Sequence, residues 1–371
     1  MLRYLTAGES HGKALVGILD GLPRGLTLNI DIINHELYLR QTSYGRGNRK
    51  IVENDTIEIL AGVRGMVTTG NPVAFVINNV DHWQSILDPI DGDNTARSIN
   101  RPRPGHADMP GMHKYGINDA RDVSERASAR DTATRCAIGS ICNQLLQSIG
   151  INLYAAILEI GKVKVDVDIH QLKKYNHTDI YGIFDKDTST QIKREIDNVR
   201  LSRDTVGGKI ALVANGVPIG LGSYTQHDLK LDCIIAASLI SLQTVKSVEF
   251  GIGNRVVDVY GSQMQDAMYY DEFGNIRHKS NNAGGITGGM SNGNDIVVQC
   301  SLKPIPTVLK GIPTVDLSTK TNEISMYERS DICHVPAALI VAKNILAFVL
   351  TRELLNHTGA VTMQQLADRL K

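Results

Sequence analysis

What this 371-residue chain lacks narrows the field first. It has no charge excess: 39 lysines and arginines balance 39 aspartates and glutamates. That argues against nucleic acid or a membrane surface as the principal partner. It has no basic n-region followed by an apolar h-region at its start, so no secretory signal is read there. Long hydrophobic runs are missing too. The longest, near 337–350, is broken by Lys343 and Asn344 and is short for a membrane span, so a buried helix is expected. The five cysteines form no C-x-x-C pair and are odd in number. Buried free thiols in a reducing cytoplasm are the expectation. Short-period repeats and low-complexity tracts are also absent. So is a G-x-G-x-x-G after a strand, which leaves a Rossmann dinucleotide site unsupported.

What remains is ordinary globular composition, 42% hydrophobic and 21% charged. Helices are expected over 124–149, 229–246 and 336–356, the last with Pro336 in its first turn. Helices this apolar belong inside a protein, covered on several sides. Ser124 is the expected N-cap of the first. Strands are expected over 3–6, 14–19, 56–63, 73–78, 153–169, 209–213 and 296–302. They do not alternate regularly with the helices, which favours α+β over a doubly wound sheet. Three loops, 41–54, 91–119 and 264–294, are long and chemically rich, and loops of that length are usually functional or disordered.

Residues 8–12, GESHG, fit the G-x-S-x-G nucleophile elbow in letters only. No earlier loop exists to supply an oxyanion donor, and the following KALVGILDGLP reads as strand and turn. A Walker A loop fails as well, with Ala14 where a hydroxyl is required. What survives is His11 beside Ser10 on a tight turn, a group able to exchange a proton near neutral pH. RPRPGHAD (101–108) sets Arg101 and Arg103 before His106 on stiff backbone. Guanidinium forks suit phosphate and carboxylate. A metal set of His106, Asp108 and His113 is the weaker alternative, since it has no recognised ligand spacing. ERASARDT (125–132) places Arg126 and Arg130 four apart, which on one helix would share a face. RQTSYGRG (40–47), NNAGGITGGMSNG (281–293), KPIPT (303–307) and RSD (329–331) add cations and glycine-rich turns. Together they suggest a small polyanion as ligand, with two histidines and an aspartate to move protons.

These pieces, in this order, resemble the chorismate synthase family. GESHG with the apolar stretch to DGLP is similar to the family's first signature, ERASARDT to its second and RSDICHVPAALIVA to its third. RPGHAD, SYGRG, NNAGGITGGMSNG and LKPIPT are also family-like, so the resemblance runs from residue 3 to about 354. Three departures stand out: Asp131 in place of glutamate, His334 where a small residue is common, and Thr42-Ser43 before the YGRG turn. The resemblance implies an α+β fold, a β-α-β sandwich with long helices packed between antiparallel sheets, in one large domain over 1–371. It implies a cytoplasmic homotetramer. It also implies conversion of 5-enolpyruvylshikimate 3-phosphate to chorismate and phosphate by anti-1,4-elimination. Reduced FMN would come from a separate NAD(P)H-dependent reductase, a transient partner, and no metal is implied.

By the same resemblance His11 protonates the departing phosphate, His106 stabilises the reduced flavin, and Asp331 assists proton transfer at flavin N5 by way of Ser10. Ser10, Arg40, Arg46, Arg130 and Arg329 hold substrate. Arg103, Ser128, Ala129, Arg130, Gln243, Thr244, Gly288, Lys303, Pro304, Ile305, Pro306, Thr307 and Arg329 contact the flavin. The rival readings are a flavin-dependent oxidoreductase with net hydride transfer and an FMN- or phosphosugar-binding protein without catalysis. Burying so many cations in an empty site would be costly. The long loops are therefore expected to be mobile without ligands and ordered by them.

Overall fold

A computed structural model describes residues 1–47, 53–89, 92, 98–174, 186–326 and 330–371. Two antiparallel sheets face each other across a layer of helices. The first has the strand order Arg3–Ala7, Ala14–Asp20, Val73–Asn78, Glu58–Ala61. The second runs Val245–Phe250, Ile296–Leu302, Gly208–Asn215, Asn152–Ile160, Val163–Lys164. Strand Val73–Asn78 reads VAFVIN and buries alternate residues, the period-2 pattern of a sheet with one covered face.

Between the sheets lie helices Thr132–Ser148 and Val335–Thr358, packed on each other. Helix Thr132–Ser148 lies against the first sheet and Val335–Thr358 against the second, while helices Ile30–Gln41 and Leu231–Ile240 flank them. Val335–Thr358 is apolar enough by length and composition to cross a membrane, but its most apolar window is 89% buried in protein. It is a core helix, and its uniform apolarity follows from having neighbours on every side. Gly139 permits the close crossing of the two central helices, because a Cβ there would come 2.1 Å from the carbonyl oxygen of Asn344. One hydrophobic cluster takes side chains from both sheets and all four of these helices.

The expected 124–149 helix is three pieces. Helix Ala120–Ala127 ends at Ser128, a short 3-10 turn spans Ala129–Asp131, and the long helix begins at Thr132. Ser128 is extended (φ −59°, ψ 144°) and its hydroxyl accepts from the Arg130 amide, so the side chain replaces the helical bond and breaks the run. The N-cap is Asp119, which accepts from the Arg121 amide; Ser124 instead donates to the Arg121 carbonyl inside the helix. The 229–246 stretch is helical only over Leu231–Ile240 and then becomes strand Val245–Phe250. The expected strand over 153–169 ends at Ile160 and turns back in a hairpin with Val163–Lys164. The 91–119 loop contains helix Asp108–Tyr115, and 264–294 contains two small hairpins, Met268–Tyr270 with Ile276–His278 and Ile286–Thr287 with Met290–Ser291. All five cysteines are free, and four are buried; Cys233 is exposed, against expectation.

Candidate functional site

A cavity of about 520 Å³ opens where the ends of the central helices meet loops from both sheets. That size is ordinary for a small-molecule site. Of the predicted residues, Ser10, His11, Arg40, Arg46, Arg103, His106, Ser128, Ala129, Arg130, Gln243, Thr244, Lys303, Ile305, Pro306, Thr307 and Asp331 line it. Gly288, in the turn of a hairpin, and Pro304 do not. Arg329 lies outside the described residues.

GESHG connects two antiparallel strands, so no helix follows Ser10 and the nucleophile elbow is excluded. His11 is fixed from both ends. Its backbone amide donates to Glu125 Oε2 at 2.7 Å and its ring Nδ1 to Oε1 at 2.9 Å. The ring stacks on Trp83, 3.9 Å between centroids and 7° from parallel. A carboxylate on Nδ1 sets the tautomer and leaves Nε2 as the nitrogen not engaged by Glu125. Ser10 Oγ accepts from Ser128 Oγ at 3.2 Å, which ties the first signature to the second.

The break at Ser128 separates the two arginines that a continuous helix would have put on one face. Arg126 lies outside, bonded to the carbonyls of Thr6 and Gly8 and paired with Asp131 at 2.9 Å. Arg130 turns inward and is buried, with Nη1 2.6 Å from Asp55 Oδ2 and Nε donating to Asn79. Asp55 also sits 3.5 Å from Arg40, which is buried as well. Burial pulls the Arg40 pKa down to about 10, opposed by Asp55. Arg46 Nη1 is 2.5 Å from Asp331 Oδ2, and the Gly47 amide donates to Asp331 Oδ1 at 2.7 Å. This wrap depends on Gly45, whose φ of +90° falls where side chains are disfavoured and whose missing Cβ makes room for Cys333.

His106 Nδ1 donates to Asp108 Oδ1 at 2.5 Å, and Arg103 reaches both oxygens of Asp108. Burial opposes ionisation of Asp108, but these hydrogen bonds outweigh it and hold the carboxyl below the usual range. His113 is exposed and remote from the cavity, and among the described residues no metal-ligand group gathers. Arg101 turns outward to Asp316 and Glu323. Lys303 Nζ donates to the Gly105 carbonyl at 2.7 Å, and burial lowers its pKa, with Lys246 adding to the effect.

The expected cationic cage is therefore a lattice of shared charge, with each lining arginine set against a carboxylate. Glu125, Asp55, Asn79, Asp108 and Trp83 are the residues sequence reasoning missed as site components. Glu125 and Asp108 lie inside ERASARDT and RPRPGHAD but carried no positioning role there, Asp108 being read only as a weak metal ligand; Asp55, Asn79 and Trp83 carry no local pattern. Polar capacity for a ligand remains. Arg46 Nε, Arg130 Nη2 and Thr244 Oγ1 are buried without hydrogen-bond partners among the described residues. Such atoms in a cavity wall fit a ligand bearing acceptors.

Residues 2–355 match the model of the chorismate synthase family. The chain belongs to that family. A chorismate synthase from Caldicellulosiruptor saccharolyticus is 43% identical over 377 residues, covering 100% of this chain and 99% of the relative. One from Lactiplantibacillus plantarum is 44% identical over 363 residues, covering 95% and 93%. A crystal structure of chorismate synthase matches with a TM-score of 0.80 at 35% identity, covering 100% of this chain and 96% of that one. Membership makes the chain a lyase for the chorismate-forming step of the shikimate pathway, and the α+β layering described above accords with the solved relative.

Proposed function

We propose that the chain converts 5-enolpyruvylshikimate 3-phosphate to chorismate and phosphate by anti-1,4-elimination, with reduced FMN as an obligatory cofactor. The observation that carries this reading is the convergence of His11, His106 and Asp331 with four arginines on one cavity. Arg40, Arg46 and Arg130 hold the phosphate and carboxylates of the substrate, exchanging part of their pairing with Asp55 and Asp331 for the ligand's charge. His11, oriented by Glu125, delivers a proton to the departing phosphate, where developing charge makes general-acid help most effective. His106, anchored on Asp108, would donate to the reduced flavin.

The flavin-holding set is Arg103, Ser128 to Arg130, Gln243, Thr244 and the 303–307 turn. Thr244 Oγ1 and Arg130 Nη2 supply buried donors that no hydrogen bond engages among the described residues. When bound, the reduced cofactor supplies transient electron density that eases phosphate loss, while the protein positions and charges the site. Asp331, held by Arg46 and the Gly47 amide, assists proton movement at the flavin. We place the enzyme in the cytoplasm as a homotetramer served by a separate NAD(P)H-dependent flavin reductase.

The test is phosphate release from the enolpyruvyl substrate under anaerobic conditions with reduced FMN. Release with no net flavin oxidation supports the lyase. Stoichiometric flavin oxidation would favour an oxidoreductase, and binding without turnover a binding protein.

A further inference from the structure

One imidazole in the cavity wall has no role in this reading. His334 precedes helix Val335–Thr358, is 8% exposed and lines the cavity. Among the described residues neither Nδ1 nor Nε2 has a hydrogen-bond partner. A neutral imidazole always presents one N–H donor and one acceptor, so both capacities are unmet in a place that water reaches poorly. Buried polar groups in folded proteins are nearly always paired, and an exception calls for a cause. A histidine kept for packing or for capping its helix would show a partner; this one makes no capping bond.

The surroundings define what would satisfy it. Burial pushes its pKa down to about 4, with Asp331 opposing and Arg46 and Lys303 assisting, so it is uncharged at neutral pH. Uncharged, it is a weaker phosphate or carboxylate anchor than the arginines around it, because charge-assisted hydrogen bonds are the stronger ones. Its near neighbours on the same helix, Ala337, Ala338 and Val341, give the cavity a small-residue apolar wall. A neutral donor-acceptor beside an apolar wall suits a flat, uncharged heterocycle that carries carbonyl and N–H groups along one edge.

We propose that His334 is a positioning residue for the flavin, hydrogen-bonded to the heteroatom edge of its ring system. This inference rests on the flavin reading above.

The test uses the full-length protein and oxidised FMN as probe. Wild type, His334→Ala and His334→Asn are titrated by flavin absorbance, and their melting temperatures are measured without ligand. His334→Ala should weaken FMN binding roughly tenfold or more, the loss of one well-made buried hydrogen bond to a ligand. His334→Asn, which keeps a donor and an acceptor, should recover most of that loss. Without ligand, His334→Ala should melt at or above the wild-type temperature, since an unmet polar group is removed. Unchanged FMN affinity in His334→Ala would overturn the inference. So would a lowered melting temperature with no selective loss of FMN binding, or a loss confined to the enolpyruvyl substrate. A wild-type protein that fails to bind FMN in either redox state would reject the flavin reading itself, and the inference with it.

Discussion

Glu125 grips His11 through its backbone amide and its ring together, so the carboxylate decides both where the imidazole points and which nitrogen carries the proton. Glu125→Gln keeps the size but loses the charge. It should lower kcat at least roughly tenfold with little change in KM, as should His11→Ala. Steady-state kinetics on both variants check this, and unchanged kcat in both would remove His11 from proton transfer. His334 makes a second prediction at this scale. Its folded pKa of about 4 lies below the ordinary histidine value, so the unfolded chain binds the extra proton first. This titration therefore costs folding nothing above about pH 6.5 and opposes it increasingly as pH falls toward 4, by an amount on the order of 3 kcal/mol. Denaturation of wild type and His334→Ala across that window should show a shallower acid decline in the variant. That His11, His106 and Asp331 would share one cavity was legible from GESHG, RPGHAD and RSD. The contributions of Asp55 and Trp83 were not, because they meet the site only through the folding of distant segments.

The two central helices show what a sequence reveals at the level of elements. Val335–Thr358 was readable almost to the residue because an element covered on every side must be apolar on every side. Helix Ile30–Gln41 was missed because its buried face includes Glu36, Arg40 and Gln41 beside Ile33 and Leu37, which hides the 3.6-residue period. The break at Ser128 was missed for a related reason. Alanines and arginines favour continuing a helix, and one hydroxyl bonded to the Arg130 amide overrules them. The crossing at Gly139 yields a test. Gly139→Ala would ordinarily strengthen a helix, but here the new methyl meets the Asn344 carbonyl. Destabilisation of about 1–3 kcal/mol in urea denaturation is expected, the usual result of overpacking.

For the whole molecule, the layering came from recognising an ordered set of signatures, not from periodicity. The order of expected strands and helices alone reached only α+β, because antiparallel strands distant in sequence leave no local trace of their pairing. The site draws on both sheets and on loops between them, so ligands should tighten the assembly as a unit. Limited proteolysis within 98–107 should slow when FMN and substrate are both present, and equal cleavage with and without them would reject ligand-driven ordering. The place of Val335–Thr358 has a consequence for how the chain is made. One of the two central helices follows the strands of both sheets in the sequence, so it leaves the ribosome after them. Until it does, the inner face of the second sheet and one side of helix Thr132–Ser148 are uncovered, and the late segment itself is greasy enough to be mistaken for a membrane anchor. The fold cannot close during synthesis, so the nascent protein should lean on chaperones, and a chain stopped before residue 335 should be lost to aggregation.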